Sequence, residues 1–104
     1  MQISVLNKRS LSDALPGATR VYVGRPSALG NPFPMRSEAD RERVVTQYRD
    51  WLRQQWKARG PARTELERLL EIAKAGPLEL VCWCAPRACH ADVIREALEA
   101  LAAI

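Results

Sequence analysis

GPLELVCWCAPRACHADVI, residues 76–94, decides the fold, because it holds the end of one element, the whole of the next and the start of a third. Gly76-Pro77 stops a preceding helix, since proline cannot continue it and glycine favours its end. Leu78 to Cys84 is an apolar run of strand length. Val93, Ile94, Ala97, Leu98 and Leu101 then recur at helical spacing, with Asp92 in the first turn, where a negative charge suits the helix dipole. The same stretch carries the three cysteines and the single histidine of the chain.

Upstream, Leu66, Leu69, Leu70 and Ala73 mark one amphipathic helix. Val44, Val45, Tyr48, Trp51, Leu52 and Trp56 mark another, stopped by Gly60-Pro61. Ser37 and Asp40 read as its capping box, with Asp in place of Glu. Helical spacing accounts for Tyr48, Trp51 and Trp56 as core or core edge. Before these helices, Arg20-Val21-Tyr22-Val23 is β-branched and aromatic, bounded by Gly24 and Pro26, and reads as a strand. Ile3 to Leu6 is a first short strand, followed by a helical turn at Ser10 to Leu15 and a chain reversal at Pro16-Gly17. Two helices thus separate the second and third strands, and so long a connection returns the chain parallel to the strand it left. The expected fold is a single small α/β domain over residues 1–104, with strands near 3–6, 20–24 and 78–84 in a mainly parallel sheet of about three strands and about three helices.

At 104 residues the chain buries a core without help from metal or disulfide. Its 47% hydrophobic and 27% charged residues are ordinary for a globular protein. Asn7, Lys8, Arg9 and Asp13 interrupt the early apolar positions, so neither a signal-peptide core nor a membrane span is expected, and the expected location is the cytoplasm. There thiols stay reduced, and clustered cysteines point to metal or thiol chemistry. A net charge of +4 and a pI near 9.3 favour an anionic partner mildly, because Arg and Glu alternate along solvated helix faces.

Parallel strands place their carboxyl ends on one edge of the sheet, where open α/β sheets bind ligands. That brings the loop GRPSALGNPFP, residues 24–34, beside the turn after Cys84. Gly24 and Gly30 point to positive φ or close backbone approach, and Asn31 before Pro32 to a turn or extended backbone. Arg25 and Ser27 offer donors to an anion, Arg25 through a planar fork. The loop is no P-loop, lacking the Lys and Ser/Thr after the last glycine. Its structural alternative is a proline-braced connection with Arg25 in solvent or paired to Asp92.

In the second motif, Cys82 reads as a small core residue, and Cys89, just before a helix N-terminus, as the best thiolate. A catalytic set would use Cys89 as nucleophile or redox thiol, His90 as acid/base and Asp92 as orienter of the imidazole. The alternative is Zn2+ held by Cys82, Cys84, Cys89 and His90, four donors of suitable chemistry in a C-x-C-x4-C-H spacing that differs from paired C-x2-C knuckles.

With both motifs in hand, the chain resembles the small bacterial and bacteriophage domain-of-unknown-function 4326 family, in a Y-x-G-R-P-S-x-x-G-N-P-F segment at Tyr22 to Phe33 and a C-W-C-x-P-x-x-C-H-x-D segment at Cys82 to Asp92. The resemblance implies that Gly24, Arg25, Ser27, Gly30, Asn31, Pro32, Cys84, Cys89, His90 and Asp92 act as one unit. It implies no activity. The leading expectation is a site for a small anionic ligand, a nucleotide or nucleoside phosphate first, with Cys89 or His90 at any chemical centre. Behind it stand a zinc-binding module associated with nucleic acid and an interaction surface at Arg41, Arg49 and Arg53. Exposed edges of so small a sheet invite pairing into a homodimer.

Overall fold

The computed structural model describes residues 1–85 and 87–104; Pro86 of the second motif lies outside them. The chain runs through β1 (Ile3–Asn7), β2 (Thr19–Tyr22), α1 (Arg41–Ala58), α2 (Pro61–Ala75), β3 (Leu78–Cys82) and α3 (His90–Ala102). Single 3-10 turns occupy Lys8–Ser10 and Glu38–Asp40.

Every residue of β3 is buried because it is the central strand, in the order β1-β3-β2. Both neighbours run parallel to it, for β2 as expected from the two-helix crossover that joins it to β3. Register sets Ile3 and Thr19 on either side of Leu78, and Val5 and Val21 on either side of Leu80. Side chains alternate along a strand, so this face carries an apolar row that joins Cys82 and the helices in one core. The three helices pack against one another, and α3 also reaches β1 and β3. Tyr48, Leu66, Leu69, Ile94 and Leu98 fill the space between them.

The opposite face is different. There Glu79 lies between Ser4 and Arg20 and is only 4% exposed. Arg20 Nε donates to its Oε1 at 2.9 Å, and another guanidinium nitrogen donates to the Ser12 carbonyl. A buried carboxylate needs such a partner, and the β1–β2 connection supplies the surroundings. Glu79 therefore interrupts the apolar pattern of β3 without breaking the strand.

Three local expectations are corrected. The helical turn after β1 falls at Lys8–Ser10 rather than at Ser10 to Leu15, because the Asn7 side chain accepts from Arg9 N at 2.8 Å and caps it there. Ser37 makes no side-chain cap, and Asp40 Oδ2 instead accepts from Arg36 N at 3.2 Å, so α1 starts at Arg41 without the expected box. β3 ends at Cys82 rather than Cys84. Asn7 Nδ2 donates to the carbonyls of Trp83 and Ala85 at 3.1 and 2.8 Å, which turns the chain away from the sheet. Among the described residues, no helix is long and apolar enough to cross a membrane.

Leu80 sits at the middle of the central strand with no exposed surface. Leu80→Ala is expected to lower unfolding free energy by about 2–5 kcal/mol in urea titrations. Leu11→Ala, at an exposed position, is expected to change it by less than about 0.5 kcal/mol.

Candidate functional site

Because β2 and β3 are parallel, the segments leaving them emerge together. Val23 N donates to Val81 O at 3.0 Å, so the loop that follows starts in contact with β3. A cleft of about 440 Å³ opens here, lined by Tyr22, Gly24, Arg25, Asn31, Phe33 and Met35 from one side. Trp83, Cys84, Ala88, Cys89 and His90 line the other, and Arg41, Val44 and Val45 of α1 close it. The two sequence motifs are neighbours in space, as parallel strands demand.

The Arg25 loop is built by close backbone packing. Ser27 N donates to Gly24 O and Gly30 N to Ser27 O, each at 2.9 Å, and the Arg25–Pro26 peptide is cis. Of the two expected reasons for Gly24 and Gly30, close approach holds. A Cβ on Gly24 would lie 2.3 Å from Tyr22 Oη, and one on Gly30 would lie 3.0 Å from the Arg25 backbone. The loop is anchored inside by Leu29, whose carbonyl accepts from buried Tyr48 Oη at 2.7 Å. Burial raises the Tyr48 phenol well above its ordinary pKa, so it stays a donor. Asn31 Oδ1 accepts from Phe33 N at 2.9 Å, an Asx-type turn at the cleft wall. Ser27 Oγ is buried and has no partner among the described residues. Ser27 does not line the cleft.

The second motif is organised around the start of α3. Cys89 is the N-cap: its Sγ accepts from Ala91 N at 3.3 Å, while Asp92 Oδ2 accepts from Cys89 N at 2.9 Å. This is a reciprocal capping box with sulfur in the place of a hydroxyl. Asp92 is therefore engaged at the cap and does not orient the imidazole. That task falls to the Val23 carbonyl, 2.7 Å from His90 Nε2, which fixes a proton on Nε2. His90 is 8% exposed, and Tyr48 meets its ring edge-on at 5.2 Å. Burial lowers the His90 pKa, and the nearby Arg25 charge lowers it further, so the ring is neutral at pH 7.

Sequence reasoning missed the thiol pair. Cys82 and Cys89 are 1% and 4% exposed, and their sulfurs are 3.2 Å apart. The hydrogen bond from Cys89 lowers the Cys82 pKa to about 6, with help from the backbone N–H groups of Cys84 and Ala85. The same bond, with burial, pushes Cys89 up. The two sulfurs share one proton along this bond, which either can donate, so the thiolate expected of Cys89 belongs to the Cys82–Cys89 pair. A C-x6-C spacing spanning a strand end and a helix cap was the available signal, but only the tertiary turn joins them.

Arg41 was also missed, because it begins an amphipathic helix and reads as a solvated charge. Its guanidinium grips Glu38 at 2.8 and 2.9 Å, donates to Ala88 O at 2.7 Å and reaches the Cys84 thiol. Glu38 also binds Arg87 at 2.6 Å, and its carboxyl is lowered to about 2, first by the Arg41 hydrogen bond. Arg49 and Arg53, expected with Arg41 to form a docking face, pair with Glu96 and Asp50.

Zinc needs converging donors, and the described residues contain no group of three or more His, Cys, Asp or Glu side chains able to hold a metal ion. His90 Nε2 is taken by a carbonyl. The set Cys82, Cys84, Cys89 and His90 does not fit a tetrahedral site.

A family model described as a domain of unknown function (DUF4326) matches residues 6–100, which include both cleft motifs, β2, β3, α1, α2 and most of α3. The chain belongs to the DUF4326 family. No curated protein and no solved structure matches it significantly. For a DUF4326 domain with this architecture, the match binds the two motifs into one unit but assigns no chemistry.

Two outcomes follow from the buried groups. His90 has its folded-state pKa below the unfolded value of about 6.5, so the unfolded chain takes up the proton first, and stability present above that value is lost as pH falls through and below it. Thermal melts from pH 7.5 to 5 are expected to fall, through His90 and the lowered Cys82 thiol together, with His90→Gln removing the His90 share and leaving that of Cys82. Thiolate absorbance at 240 nm is expected to rise with a midpoint near 6. Cys84→Ser should leave that midpoint in place, and Cys89→Ala should move it upward by removing the donor.

Proposed function

We propose that the cleft binds a small anionic ligand of nucleotide type, with Arg25 as the anion-binding group. One observation carries this reading. Arg25 opens on the cleft at the carboxyl edge of a parallel sheet, and among the described residues its guanidinium has no carboxylate partner. Asp92, the acid considered for it, is bonded to Cys89 N and Arg95. Arg41 and Arg87, by contrast, share the Glu38 carboxylate, which offsets one of their two charges. An unpaired planar fork in a concave site suits phosphate or carboxylate.

The rest of the cleft supports an aromatic ligand attached to the anion. Trp83 is 48% exposed at its wall, yet its ring is held: Nε1 donates to Tyr22 Oη at 3.1 Å, and Tyr22 Oη donates to Arg25 O at 3.0 Å. Lys8 Nζ lies 4.6 Å from the Tyr22 ring centre and 5.2 Å from that of Trp83, with Arg9 at 5.3 Å from Trp83. A fixed indole face among cations is a platform for a base. The cleft volume falls in the range of about 300–1,000 Å³ usual for small-ligand sites. Neutral His90 and Cys84 lie within reach of a bound molecule as the groups for any chemistry. A cytoplasmic setting, with thiols reduced and nucleotides abundant, goes with this reading.

Calorimetric titration with adenosine monophosphate and with inorganic phosphate tests it. Arg25→Ala is expected to weaken both by about 10-fold or more, the worth of a charged hydrogen bond. Trp83→Ala is expected to weaken the nucleotide and spare phosphate. Unchanged affinity in Arg25→Ala, or no binding of either probe to the wild-type chain, overturns the proposal.

A further inference from the structure

The thiol pair lies against the cleft and is not used by anion binding. Cys82 ends β3 and Cys89 caps α3, so each sulfur is held by an element of the core rather than by a loop alone. Their separation of 3.2 Å leaves about 1.2 Å to close to a covalent S–S bond. Cys89 lines the cleft, while Cys82 lies behind it. Cys84, also in the cleft, is turned to the Arg41 guanidinium instead. The three thiols thus divide into a facing pair and a separate third. A pair in which one sulfur meets the cleft and the other stands behind it has the layout of an attacking and a resolving cysteine.

We propose that Cys82 and Cys89 form a redox-active dithiol that a small hydroperoxide entering the cleft converts to a disulfide at its inner wall. The pair holds one thiolate near neutral pH, and passage of the shared proton along the S···S hydrogen bond puts it on Cys89. The Cys89 thiolate attacks one oxygen of the peroxide: an S–O bond forms, the O–O bond breaks, and hydroxide or alkoxide leaves to take up a proton from water. Sulfur is oxidised by two electrons and the peroxide reduced. Cys82, which received the shared proton, gives it up as its sulfur attacks the sulfenic sulfur; the S–S bond forms, the S–O bond breaks, and the departing hydroxide takes that proton to leave as water. In sum, two thiols and one hydroperoxide give a disulfide, one water and one alcohol or second water. The disulfide ties the end of β3 to the start of α3, beside His90 and its Val23 contact.

The test is oxidation of the reduced full chain with one equivalent of hydrogen peroxide, read by intact mass and tryptic mapping. Arg87 separates Cys89 from Cys82 and Cys84, so a bond from Cys89 to either of them joins two tryptic peptides, and Cys84→Ser decides which. The expected result is a monomer lighter by two hydrogens, restored by dithiothreitol, with the same loss in Cys84→Ser and none in Cys89→Ser. Cys82→Ser should stop at a Cys89 sulfenic acid trapped by dimedone. The proposal is overturned if Cys84→Ser abolishes the linkage, if oxygen is gained with no hydrogen lost, or if only intermolecular dimers form. Should Cys82→Ser fail to fold, the peptide map of Cys84→Ser alone still decides. Because no nucleotide is present, failure here leaves the anion-binding proposal standing, and the reverse holds.

Discussion

The placement of β3 between two strands that run its way is the constraint on which the molecule depends. It buries every residue from Leu78 to Cys82 and gathers the carboxyl ends of the strands on one edge. Helices α2 and α3 pack on one face of the sheet, and the Glu79–Arg20 pair lies on the other. The cleft is a product of this topology. Its two motif-bearing walls leave adjacent strands, and the beginning of α1 closes the space between them.

Polar bonds at that edge then fix the cleft's shape. His90 to Val23, Tyr48 to Leu29, Asn7 to Trp83 and Ala85, and the Cys89–Asp92 cap each join residues whose backbone groups would otherwise be orphaned where strands end and a helix begins. Of these residues, His90, Trp83 and Cys89 also line the cleft. His90 is neutral because it is buried, and it is buried because its Nε2 proton has a carbonyl to meet.

Much of this was legible from residue order. Periodicity located α1, α2 and α3, turn residues bounded them, and the long crossover predicted parallel strands and so the meeting of Gly24–Arg25 with Cys84–His90. What was not legible depends on individual side chains answering one another across the fold. Asn7 ends β3 two residues early from a distance in sequence that no local pattern records. Ser37 and Asp40 have the letters of a capping box but bond elsewhere, whereas Cys89 and Asp92 form one with a sulfur that capping preferences do not anticipate. Cys82 read correctly as a buried residue, yet burial said nothing of the second sulfur against it. Arg41 read as a surface charge because helical position alone does not reveal that Glu38, Ala88 and Cys84 surround it.

The bond between His90 and Val23 spans 67 positions of the chain, and Trp83 to Tyr22 spans 61. A pocket stitched together over such separations has no local precursor: neither an isolated hairpin nor a helical fragment holds a partial version of it. Its appearance is therefore tied to the final cooperative step of folding, and any opening that frees α3 from the sheet erases the pocket as a whole. The intact cleft is all-or-none with respect to nativeness, and its presence gauges how much of the population is fully folded.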